Sequence, residues 1–268
     1  MKLAPIISAG LMLIVAACTG LDPHPKGDDY DASVKEADDA RRVGNFDVAI
    51  PLYGRALQTN PKGTQAKLGL GQSYLSIGAS SEAAAQFRDV LANRENNAVA
   101  RRGLAAALIN MGQPTLAEEQ IGLVLQSDSS DYRALNVLGV ALDMQGRHAE
   151  AQANYRRAIQ LAPDYLPTRS NFGLSLAITG PPQEAIAQLA PIATSRGADA
   201  RVRQNLAFAY AMAGDFESSL QIMRRDLDEK SAQRQLYYFM QLRTMSVEQR
   251  SFEIRQNPNF MPQSGPGA

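Results

Sequence analysis

Glycine recurs in this chain at a fixed step: moving back 34 residues at a time from Gly214 lands on Gly180, Gly146, Gly112, Gly78 and Gly44 without a miss. With 20 glycines in 268 residues, chance gives such a run about once in a thousand chains, even after all starts and plausible periods are tried. A repeat of this length holds one small supersecondary unit, which cannot bury its own apolar face. Successive units must therefore stack, so the chain reads as a quasi-one-dimensional array rather than a globule around one centre.

Units aligned on Tyr30, Thr64, Ala98, Tyr132, Leu166 and Ala200 share two columns of small residues. Ala37, Gly71, Ala105, Gly139, Gly173 and Ala207 stand at the eighth position, and Ala49, Ala83, Ala117, Ala151, Ala185 and Ser219 at the twentieth. Small side chains at both places let two helices approach closely. Bulk at the seventh position (Leu70, Leu104, Leu138, Phe172, Leu206) and the eleventh (Tyr74, Leu108, Leu142, Leu176, Tyr210) gives the first helix an apolar stripe. In "HAEAQANYRRAIQLAP", Ala151, Tyr155, Ala158 and Ile159 do the same for the second helix. Between the helices the recurring glycine supplies the positive φ that often ends a helix, and Pro61 and Pro163 stop the second helix.

This pattern resembles the tetratricopeptide repeat. The resemblance implies an all-α fold, a right-handed superhelical solenoid of about six repeats over residues 31–230. It is looser in the fifth unit, where Pro181-Pro182 opens the second helix, and in the first, where Glu36 replaces bulk. A seventh unit would need glycine at 248, where the chain has Glu248. Residues 231–257 are expected instead to form capping helices, with a capping box from Ser246 to Gln249, and residues 258–268 a disordered tail.

Residues 1–17 have the layout of an export signal: one lysine, an apolar core of about a dozen residues and small residues before Cys18, too short for a membrane span. Val15-Ala16-Ala17-Cys18 resembles the bacterial lipobox, and Cys18 is the single cysteine. A diacylglycerol on Cys18 is therefore the expected anchor and the only group carried; no other cofactor and no metal is expected. Thr19, in place of aspartate, implies by that resemblance passage to the outer membrane of a Gram-negative cell, on its periplasmic face. Residues 18–30, with Pro23, Pro25 and three aspartates, are expected to be an extended tether reaching roughly 40 Å.

The charge balance of 27 basic and 27 acidic residues gives no strong field for nucleic acid. Catalysis finds little support: the histidines are His24, in the tether, and His148, expected to be structural, and no motif for a metal, a nucleotide or a small-molecule substrate stands out. The expectation is a non-catalytic protein. In this fold the first helices line a concave groove, here Leu68, Gln72, Leu75, Ile109, Asn110, Asn136, Val140, Met144, Leu174, Ile178, Gln204, Phe208 and Met212. Apolar pockets interleaved with amides suit a bound peptide or helix; equally, several of these residues suit the core between repeats. The carboxylate clamp of chaperone-binding repeats is not supported, because Ala106 stands where its asparagine would be.

"ARVRQNLAFAYAMAGDFESSLQIMRRDL", Ala200 to Leu227, resembles the C-terminal signature of the tight-adherence D (TadD) family, carried by Arg203-Gln204-Asn205-Leu206-Ala207 and Arg224-Arg225-Asp226-Leu227. Ser218-Ser219 and the aromatic run "LYYFMQL" depart from it. The resemblance implies a lipoprotein adaptor of Flp-type pilus assembly whose protein partners include the outer-membrane secretin. A scaffold that positions peptidoglycan enzymes is the alternative.

Overall fold

The computed structural model describes residues 26–195 and 198–257. Among them are fourteen helices and no strand. Six antiparallel pairs follow one another: α1 (Lys26–Arg42) with α2 (Phe46–Thr59), α3 (Thr64–Ser76) with α4 (Ser80–Asn93), α5 (Ala98–Asn110) with α6 (Pro114–Ser127), α7 (Tyr132–Met144) with α8 (His148–Leu161), α9 (Leu166–Thr179) with α10 (Pro182–Ala193), and α11 (Ala200–Ala213) with α12 (Phe216–Met223). Two further helices close the chain, α13 (Glu229–Thr244) and α14 (Val247–Gln256).

Local chemistry sets these boundaries. All six recurring glycines have positive φ, between 70° and 86°, and no other residue among those described does. Each sits where a first helix must reverse within two or three residues, a conformation costing an L side chain about 1–2 kcal/mol. Asn97, Asp131 and Asp199 open α5, α7 and α11 by accepting the backbone N–H three residues on, and Asp215, Asp228 and Ser246 do so for α12, α13 and α14. Helix α1 starts at Lys26, five residues inside the stretch expected to be extended tether. Asp29, in the first turn of that helix, complements its dipole. Cys18, the signal segment and the tail from 258 lie outside the described residues.

The columns of small residues lie where helices touch. A Cβ at Gly71 would come within 2.8 Å of Phe87, at Gly139 within 2.4 Å of Tyr155, and at Gly173 within 2.4 Å of Leu189. Tyr53, Phe87, Ile121, Tyr155 and Leu189, one from each of five second helices, are fully enclosed. One continuous core runs from Leu75 to Ile254, and a smaller one joins α1 and α2 to the start of α3. Helix α13 packs on α11 and α12 as a seventh first helix would, and α14 then turns back to reach α9. That return decides what surface remains free.

Candidate functional site

The thirteen residues expected to line one groove fall into three environments. Leu68 and Gln72 on α3 are half-buried and Asn110 on α5 is exposed, while Leu75 is buried. Ile109, Asn136 and Val140 are enclosed in the stack, and Asn136 accepts a hydrogen bond from Asn171 of the next repeat at 3.0 Å. The rest belong to repeats 4 to 6, where the C-terminal helices lie against them. Ile254 of α14 shares a cavity of about 20 Å³, room for about one water, with Met144, Leu174 and Ile178. Phe208 meets Phe239 of α13 edge to face at 5.3 Å, the Met212 carbonyl accepts from Arg243 at 3.3 Å, and Gln204 lines a cleft with Met223 and Gln235. The chain thus fills the C-terminal half of its own groove with its last two helices.

A polar relay fixes α14. His148, the first residue of α8, has Nδ1 2.8 Å from Asp143 Oδ1 and Nε2 2.6 Å from Ser251 Oγ on α14. Toward an ionised Asp143 the imidazole donates through Nδ1, and Nε2 shares a hydrogen bond with the Ser251 hydroxyl. Asp143 also receives the Ser175 hydroxyl at 2.9 Å and the Tyr155 hydroxyl at 3.0 Å. Burial pushes the Asp143 carboxyl above its usual range in spite of these donors, and burial likewise raises the Tyr155 phenol.

Serine, histidine and aspartate in this order have the connectivity of an acyl-transfer triad. Ser251 is 3% exposed, its hydroxyl lies on the inner face of a helix, and the adjoining cavity would not admit an acyl group beside it. The arrangement holds a helix in place. Reading the chain one element at a time misses it, since 103 residues separate His148 from Ser251. One signal was available: Asp143 interrupts the apolar run "ALNVLGVALDM", and a carboxylate in a buried stripe needs partners.

Polar residues of the stretch Ala200 to Leu227 tie the last repeat together and to the repeat before it. Arg203 makes a two-pronged pair with Asp226, 2.7 Å from Nε and 2.5 Å from Nη2, and donates to the Ala198 carbonyl at 2.6 Å. That pair holds the Asp226 carboxyl below its usual range. Asn205 is buried and donates to Ser170 of the repeat before. Among the described residues no cluster of His, Cys, Asp and Glu could hold a metal, and no helix is long and apolar enough to cross a membrane.

Tetratricopeptide-repeat family models match residues 34–98 and 132–165. The chain is 30% identical over 180 residues to "Uncharacterized protein y4yS" of Sinorhizobium fredii, a match covering 66% of this chain and 89% of that protein. The chain belongs to the tetratricopeptide-repeat family. It is also 36% identical over 120 residues to "Type IV pilus assembly protein PilF" of Pseudomonas aeruginosa, which covers 42% of this chain and 46% of PilF. A solved structure titled for the functional characterization of that pilF shares the fold, with a TM-score of 0.60 at 17% identity over 78% of this chain and 97% of the other. Tetratricopeptide-repeat proteins act typically by binding other proteins, and pilus assembly is among the roles of this chain's relatives.

Proposed function

We propose that this tetratricopeptide-repeat protein is a non-catalytic lipoprotein adaptor of pilus assembly, of the tight-adherence kind. Diacylglycerol on Cys18 tethers the solenoid to the periplasmic face of the outer membrane, and the solenoid binds a pilus component such as the secretin, so that sorting of one carries the other. The observation that carries this reading is the likeness to PilF in both sequence and fold. The signature from Ala200 to Leu227 favours the tight-adherence system within that class.

The test is a Cys18→Ser chain in a strain assembling such pili. The proposal expects the variant in the soluble periplasm and fewer secretin multimers in the outer membrane. A soluble variant with normal multimers and normal pili would overturn it.

A further inference from the structure

The C-terminal helices touch successive repeats with successive arginines, in register. Arg243 Nε donates to the Met212 carbonyl at 3.3 Å, and Arg250 Nη1 to the Ile178 carbonyl at 2.6 Å. Met212 and Ile178 are 34 residues apart, one repeat length. One repeat further back is Met144, and there Arg255 lines the same cavity as Met144 with its Nη1 beside Gly146, buried and without a hydrogen-bond partner. Each arginine therefore sits at the corner where a first helix ends. Free carbonyls and the negative end of the helix dipole attract a cation there.

This ladder stops at repeat 4, but the corners do not. In repeats 2 and 3 the equivalent carbonyls belong to Ser76 and Asn110, at the ends of α3 and α5, whereas α13 and α14 pack on α9, α11 and α12. The next residue differs between the two halves. It is Gln145, Thr179 and Ala213 in repeats 4 to 6, and Ile77 and Met111 in repeats 2 and 3, 52% and 37% exposed. Glu82, four residues past Gly78, adds an exposed carboxylate. Apolar side chains beside helix C-termini continue the edge that the chain's own arginine-bearing helices cover.

We propose that this free edge of repeats 2 and 3 receives a helical segment of a partner protein with the chemistry of residues 243–256: arginines five to seven residues apart that cap the α3 and α5 carbonyls, and apolar residues between them that cover Ile77 and Met111. The C-terminal segment is then an internal copy of the ligand. This inference rests on the reading of the solenoid as a protein-binding adaptor, but not on which partner it serves.

The probe is a fluorescent synthetic peptide of residues 243–256, added to the full-length Cys18→Ser chain with its own α14 in place and followed by anisotropy. Binding is expected to weaken at least tenfold for an Ile77→Glu, Met111→Glu chain whose circular dichroism and melting match the parent. A similar loss is expected when Arg250 and Arg255 of the peptide become alanine. No binding, binding indifferent to the peptide's arginines, or binding that survives both substitutions in the chain would overturn the inference. Survival of binding together with faster hydrogen exchange in α14 would mean that the peptide displaces α14, and would overturn it equally. None of these outcomes bears on the fate of the secretin in the Cys18→Ser strain.

Discussion

At the scale of single residues, two kinds of glycine answer to different physics. Gly112 has a φ of +71° and open space around it, so alanine there meets backbone strain alone, about 1–2 kcal/mol. Gly139 has ordinary helical φ, but a Cβ would lie 2.4 Å from the Tyr155 ring. Gly139→Ala forces that ring out of a fully packed place, at about 1–3 kcal/mol, against a helix-propensity gain of about 1 kcal/mol. Chemical denaturation of the two variants separates the cases: the Gly139→Ala penalty shrinks in a Tyr155→Leu background, and the Gly112→Ala penalty does not. Asp143 gives a pH signature. Its folded pKa is raised by burial, so as pH climbs above the ordinary aspartate value the unfolded chain ionises first, and stability present below that value is lost until the folded pKa is passed. His148 and Tyr155 are the titratable groups bonded to it, and Arg255 lines the adjoining cavity. The stability of the parent minus that of Asp143→Asn should therefore fall as pH rises through and above the ordinary aspartate value of about 3.9; a difference that stays flat or rises would contradict the assignment.

Among the elements, α14 is the one whose removal should leave the rest standing. It has ten residues and a capping box, one deeply buried aliphatic side chain, Ile254, and the links of Ser251 and Arg250 to repeats 4 and 5. Ile254→Ala removes most of its apolar anchor, about 2 kcal/mol or more. Hydrogen exchange in α14 should then accelerate at least tenfold while α5 and α7 keep their protection; equal acceleration across the solenoid would show that α14 is part of the cooperative core instead. The six helix pairs were legible in the amino-acid order because their determinants are local: a glycine where φ must be positive, a small residue where helices cross, and a capping aspartate or asparagine. The covering of the groove was not. Ser251 finds His148 and Arg250 finds Ile178 across 103 and 72 residues, outside the 34-residue period. Phe208, Leu174 and Ile178, which their spacing left open between groove and inter-repeat core, lie under the chain's own C-terminus.

For the molecule as a whole, the small core shared by α1, α2 and the start of α3 is separate from the long one, and stability in a stacked array is approximately a sum over units and their interfaces. Repeat 1 should open first. Native-state hydrogen exchange is expected to show α1 and α2 exchanging through an opening that leaves α5 to α9 protected, and Tyr53→Phe, which removes the 2.5 Å bond to Asp38, should speed that opening alone. The proposed function follows the same division, with a C-terminal half covered from within and an N-terminal half left to meet a partner. The most direct test is capture from detergent-solubilised envelopes of a piliated strain, comparing the parent chain with the Ile77→Glu, Met111→Glu form. The account predicts that the parent recovers the pilus secretin or its assembly partners and that the variant, equally folded, does not. Recovery of peptidoglycan enzymes in their place, or of the secretin equally by both chains, would contradict it.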